Sequence, residues 1–401
     1  RGIIAMVGPY VTICLSTGAF TMIHDLVRSS LPFVACAMLA LAVRPASADE
    51  PLVFISAFAE GDDGAIHAYQ LDVATGALKL LTRTTDVENP FFLAVSRDNK
   101  FLYSIHSDNF GDEKPEQVAA YAVQGRTGEL KLLNRQSAEG TAACYLDVDA
   151  SGKMVLCANY STGSVISYPV QQDGSLGEPA SFVQHAGTSV DPARQEGPHA
   201  HCFVISPDNR YAYSADLGLD KILGYTIDPK TAKLTPNKQA FARTPPGAGP
   251  RHLTFHPRQP WMYVINEMAN SITMYDYDAK TGNLIEHKTI STLPDGYKEA
   301  SYCADLKITP NGKYLYGTNR GHHSIAMYEI GDDGQLTLIG IEPSLGDGPQ
   351  NLAITAGGEL LLCANMPGNN VVVFSIDAET GKLKAIGDPI EIPMPSCIMI
   401  R

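Results

Sequence analysis

Four short stretches of this sequence carry ionisable side chains that could share one reaction. They are His201 in "AHCFVISP", Arg251 in "GPRHLTFHP", Glu267 in "INEMAN" and Arg320 in "TNRGHHS". Two guanidinium groups stay charged at any working pH and grip a carboxylate or phosphate with two parallel hydrogen bonds. An Arg can also stabilise the oxyanion that any ester hydrolysis generates. An imidazole or a carboxylate can take a proton from water. Singly, each residue has a plainer reading: Arg251 and Glu267 as a salt bridge between two loops, His201 as a strand cap. Their combination is what points to a polar site, and it depends on the elements that carry them.

Those elements repeat. A tight turn followed by Leu recurs as TGAL (Leu78), TGEL (Leu130), DGSL (Leu176), TAKL (Leu234), TGNL (Leu284), DGQL (Leu336) and TGKL (Leu383), spaced 46 to 58 residues apart. Each unit holds four short runs rich in Val, Ile, Tyr and Thr, such as "HLTFHP", "WMYVINE", "SITMYDYD" and "LIEHKTI". Runs of this length, separated by Gly, Pro, Asn and Asp, are strands. Four strands per repeat of about fifty residues define a β-propeller blade. The expected fold is therefore all-β: a seven-bladed β-propeller with four antiparallel strands per blade. The first unit begins at "LVFISAF", which matches a second strand, while the C-terminal "PSCIMIR" aligns with the first-strand fragments "PRHLTFH" and "PQNLAIT". Ser396–Ile400 is thus expected to complete the first blade and close the ring, hiding the edges that an open repeat would expose.

Equivalent positions in a propeller form rings. Alignment puts Ser396, Phe91, Cys144, His201, Arg251, Ala304 and Gln350 in one column, where the chain enters each first strand. Tyr160, Leu217, Glu267, Arg320 and Met366 fill a second column, where it leaves the second strand of blades three to seven. Antiparallel strands reverse at each turn, so both columns lie on one face. His201, Arg251, Glu267 and Arg320 then converge on one mouth of the central channel, a usual place for a small ligand. His252 shares a column with Cys202, Asn351 and Cys397 and reads as structural.

Composition narrows the partners. The chain is 44% apolar and 18% charged with a net charge of −13, which excludes nucleic acid. No GxSxG elbow, HExxH or Cys/His ligand spacing is present, and the acidic loops 60–64 and 108–116 read as solvated. No metal and no cofactor is therefore expected. Residues Met22–Ala48 read as a secretory signal, with Arg28 near its start, an apolar stretch from Leu31 to Val43, and Ala46-Ser47-Ala48 before the cleavage point. Residues 1–48 are expected to be an extension plus signal peptide, with a true start at Met22 and cleavage after Ala48. Residues 51–401 are expected to form the single propeller domain, exported to the periplasm. The apolar stretch is short for a membrane span, so the mature chain should have none; an anchor built with Ile3–Ile23 is the rival reading. Of eight cysteines, Cys14 and Cys36 fall in that extension. The other six lack paired spacing and are expected as buried free thiols.

The fragments "GPHAHCFVISPDNRYAYSADLG", "GAGPRHLTFHPRQPWMYVINEMANSI" and "DLKITPNGKYLYGTNRGHHSIAMYEI" resemble the seven-bladed propeller lactonase family. That family includes the bacterial propeller-type 6-phosphogluconolactonase and the fungal carboxy-cis,cis-muconate cyclase. The resemblance covers about residues 51–401 and implies metal-free opening of a sugar lactone, 6-phosphogluconolactone or a related aldonolactone, to its acid. It places the family's catalytic His on His201, its two Arg on Arg251 and Arg320, and its Glu on Glu267. His199, in "GPHAH", matches a further, substrate-binding His. The implied ligand is a small anionic lactone held by His199, Arg251 and Arg320. An export signal fits an unphosphorylated lactone better than a phosphorylated one. A periplasmic binding propeller without activity, a metal-dependent gluconolactonase propeller (six blades against the seven counted here) and a muconate-type lactonising cyclase are the alternatives.

Overall fold

Each repeat contains two kinds of strand, and burial explains both. Second strands such as Met154–Asn159 (MVLCAN) and Leu360–Asn365 (LLLCAN) are buried along their whole length. They lie inside a sheet that is covered on both faces by neighbouring blades, so near-continuous apolar runs suit them. Outer strands such as Lys233–Arg243 (KLTPNKQAFAR) are largely exposed and correspondingly polar. The structure, a computed structural model, describes residues 50–107, 110–111 and 113–401. The readings made for residues 1–48 lie outside the described residues.

Among these residues, seven four-stranded antiparallel sheets follow one another in chain order. The only helical pieces among the described residues are two short 3-10 turns, Gly61–Asp63 and Leu217–Leu219. The first sheet is the exception to sequence order: its innermost strand is Pro395–Ile400, paired antiparallel to Leu52–Ala57. The pairing includes Val53 opposite Ile400 and Ser56 opposite Cys397, and Arg401 N–H donates to Leu52 O at 2.7 Å. The expected ring closure is therefore present, beginning one residue earlier than the sequence suggests.

The recurring turn has a structural purpose that its sequence hides. Gly282 sits at φ +70°, and a Cβ there would meet the Tyr211 ring at 2.5 Å. Its carbonyl accepts the Tyr213 hydroxyl at 2.6 Å from the preceding blade. The same contact recurs as Tyr103 to Gly174 O, Tyr263 to Gly334 O and Tyr316 to Gly381 O, at 3.1, 2.8 and 2.8 Å. The turn thus staples each of these blades to the next, with a net contribution of about 1 kcal/mol per bond. Ala232, the departure from the pattern, holds the same left-handed backbone at φ +53°. Its carbonyl is taken by Ser167 Oγ at 2.6 Å instead of a tyrosine. The six cysteines of the described residues are buried and free, as expected, and no helix among these residues is long and apolar enough to cross a membrane.

Candidate active site at the channel mouth

Side chains along a regular strand alternate between faces. Near the mouth, six blades break that alternation at the same place. The ladder between first and second strands slips at Ser396, Cys144, His201, Arg251, Ala304–Asp305 and Gln350. An unpaired bulge residue bends the strand and re-aims its side chain. All but Asp305 belong to the first column, and the bulge turns four of them, Cys144, His201, Arg251 and Gln350, toward the channel. It also lengthens the strand: the fifth blade's innermost strand runs Pro250–Phe255 and includes the turn residues Pro250 and Arg251.

The cavity they face has a volume of about 350 Å³. One side presents His201, Arg251, Glu267, Arg320 and Gln350; the other presents Phe58, Phe91, Phe110 and Cys144, with Tyr160 and Met366 where the two sides meet. All four residues proposed as catalytic therefore line one cavity. Leu217, aligned with them, does not line it. It begins the 3-10 turn Leu217–Leu219, which is buried throughout.

Glu267 organises the charged side. Its Oε2 accepts from Arg251 Nε at 3.1 Å and from Arg320 Nη2 at 2.7 Å. Its Oε1 accepts from Arg194 Nη2 at 2.8 Å. Three guanidinium groups against one carboxylate leave an excess of two positive charges around the cavity. Arg251 is deepest, at 2% exposure. Its Nη1 donates to Ala304 O at 2.6 Å and to His252 Nε2 at 3.1 Å. Among the described residues no group takes its Nη2.

Burial alone would raise the Glu267 carboxyl, but Arg320, Arg251 and Arg194 together outweigh that and hold it below the usual range. Burial and the repulsion of Arg320 push Arg251 down to about 10, which still leaves it charged at neutral pH. Burial, then Arg251, His252 and Arg320, push His201 well below 6.5. The imidazole is therefore neutral at neutral pH, beside a carboxylate that is fully ion-paired. His201 Nδ1 lies 3.8 Å from Cys144 Sγ.

His199, expected to bind substrate, is not among the residues that line this cavity. It stacks on the Tyr160 ring at 4.6 Å and donates from Nδ1 to Tyr160 O at 3.0 Å. Asp216 Oδ1 fixes its backbone N–H at 2.8 Å. Arg194 was missed by the sequence reading because it lies in the long loop between blades three and four, outside the repeat and without a register. Buried Gln195 anchors that loop by donating to Leu217 O at 2.8 Å, which holds Arg194 at the rim, where it also donates to the Tyr160 hydroxyl at 3.3 Å. Among the described residues no group of three or more His, Cys, Asp or Glu is placed to hold a metal.

Fold and site together define a closed seven-bladed propeller with a cationic cavity at one mouth. The chain belongs to the family described as "Lactonase, 7-bladed beta-propeller", whose match spans residues 52–400. It is 34% identical over 348 residues to a 6-phosphogluconolactonase of Bacillus subtilis, covering 86% of this chain and 97% of that one. It is 32% identical to a 6-phosphogluconolactonase of Formosa agariphila, covering 83% and 95%. The solved structure of a periplasmic gluconolactonase of Pseudomonas aeruginosa superimposes with a TM-score of 0.82 at 27% identity, covering 87% of this chain and 98% of that one.

Proposed function

We propose that the protein hydrolyses a small anionic sugar lactone to its hydroxy acid without a metal, through His201, Arg251, Glu267 and Arg320. The single observation that carries this reading is the pairing of a neutral buried His with a guanidinium cluster in one cavity. His201 takes a proton from water as the water oxygen adds to the lactone carbonyl carbon. Arg251, through Nη2, and Arg320 stabilise the resulting oxyanion. As the carbon–ring-oxygen bond breaks, the imidazolium returns the proton to the leaving alkoxide. The new carboxylic acid then loses its proton to solvent. Glu267 is a poor base because both of its oxygens are already bound; its role is to hold three cations at fixed spacing. The positive charge that a metal would supply at the carbonyl comes here from guanidinium groups.

The charge excess favours a ligand with its own negative group, and Arg194 and Arg320 at the rim suit that end of the molecule. The names of the Bacillus and Formosa relatives support a phosphorylated aldonolactone. The Pseudomonas relative's name, with the signal-like Met22–Ala48, supports export to the periplasm and a lactone without phosphate. A panel of plain, carboxylated and phosphorylated aldonolactones, assayed with and without chelator, tests the reading. Hydrolysis is expected, strongest for an anionic lactone and unchanged by chelation. Rates at the spontaneous level across the panel would refute it, and loss of activity in chelator would refute the metal-free route.

A further inference from the structure

Behind the cavity, a chain of buried hydrogen bonds leads away from Arg251, and its donors and acceptors admit one arrangement. A guanidinium has only donors. Arg251 Nη1 therefore donates to His252 Nε2, at 3.1 Å, and that nitrogen must carry the lone pair. The ring proton then sits on Nδ1, which donates to Asp305 Oδ1 at 2.9 Å. The other carboxylate oxygen of Asp305 accepts from Lys307 Nζ at 2.7 Å, Asn351 Nδ2 at 2.9 Å and Leu352 N–H at 2.9 Å. Asn351 in turn accepts the Ile398 N–H at 2.8 Å, on the strand that closes the ring. The His252 ring is wedged against Tyr145, His201 and Phe92 at centroid distances of 5.0, 5.4 and 6.2 Å, so it cannot turn over without repacking.

We propose that Asp305 and His252 are positioning residues: the carboxylate fixes the Nδ1–H tautomer of His252, and the lone pair so presented aims the Arg251 guanidinium into the cavity. In the repeat register His252 reads as structural, and Asp305 falls inside a strand. The electrostatics agree with the geometry. Burial and the adjacent Arg251 push His252 down to about 4, against the pull of Asp305, so the imidazole keeps its lone pair at neutral pH. Burial would raise Asp305, but Lys307 and His252 hold it well below the usual carboxylate range. The role of Arg251 in turnover rests on the lactonase reading; the tautomer does not.

The test is Asp305→Asn. Three donors face Oδ2, so the new amide must turn its oxygen toward them and its NH2 toward His252 Nδ1. His252 then has to accept at Nδ1 and carry its proton on Nε2, where it opposes Arg251 N–H. The expected result is a fall in kcat of about 100-fold or more with KM changed only a few-fold, as for other misaimed catalytic groups. His252→Gln, whose amide oxygen can accept from Arg251, should stay within about tenfold of wild type, while His252→Phe should fall as far as Asp305→Asn. Nitrogen-15 NMR of the histidines reads the tautomer directly: Nδ1–H in the wild type and Nε2–H in Asp305→Asn. The proposal is overturned by an Nε2–H tautomer in the wild type, by wild-type kcat in Asp305→Asn, or by equal impairment of the Gln and Phe variants. A wild type that opens no lactone yet shows the Nδ1–H tautomer would refute the lactonase reading while the His252 tautomer assignment stands.

Discussion

The channel mouth has two halves built on one backbone. Cys144 and His201 occupy the same bulge in adjacent blades, and Phe58 leaves its second strand where Glu267 and Arg320 leave theirs. On the charged half, Glu267 gathers Arg194, Arg251 and Arg320. On the other, Phe58, Phe91 and Phe110 pack on one another at ring distances of 5.1, 4.7 and 5.3 Å. Cys144 turns its thiol toward the carbonyls of Ala158, Ala200 and His201 at 3.7, 3.7 and 3.4 Å. Burial pushes that thiol far up, so it stays protonated. The repeat thus delivers equivalent positions, and single side chains decide which become charged and which apolar. The halves also depend on each other: an apolar wall excludes water, and charges opposite it act through a lower dielectric.

The strongest way to break this contrast is Arg251→Ala, which removes the deepest cation of the charged half. kcat should fall by about 10²–10³, the usual cost of one oxyanion donor, while circular dichroism stays that of a folded propeller. A retained rate would show that the charged half is only a strut. Next is the pH profile of kcat/KM. In the proposed mechanism His201 works as the neutral imidazole, and its proton affinity is depressed, so the rate should hold as pH falls through 6.5 and drop only well below it, as the imidazole protonates. A fall centred at or above 6.5 would move the base elsewhere. The smallest effect should come from the apolar half. Phe110→Ala should raise KM about 3- to 10-fold, the worth of one aromatic contact, with kcat within about twofold. An unchanged KM would mean that the ligand touches the charged half alone.

The sequence was most informative where the repeat imposed a register. Periodic turns counted the blades, and the two columns brought His201, Arg251, Glu267 and Arg320 to one mouth of the channel. The bulges were not legible, because an extra unpaired residue leaves the apolar pattern of a short strand almost unchanged. Arg194 escaped because loops between blades have no equivalent positions to compare. Phe110 lies outside the two columns as well, in the loop that joins the second and third strands of the second blade. His199 was placed by resemblance alone, and its stacking on Tyr160 depends on a side-chain direction that spacing does not encode. Asp305 was hidden for the opposite reason: it falls inside a strand, where a buried carboxylate looks like a misplaced polar residue until its four partners are seen.

The closing strand gives the molecule a timetable. Ser56 and Ser396, 340 residues apart, share a hydrogen bond at 2.9 Å, and Ile398 terminates the chain of bonds that leads to Arg251. Contacts between such distant residues form late and slowly, because the intervening chain must be gathered first. A nascent or clipped polypeptide that stops short of Pro395 therefore lacks both its first complete blade and the last support of its deepest arginine. The ring acts as its own proofreader: the cavity is fully braced only after the chain has been synthesised through Ile400 and its two distant ends have met.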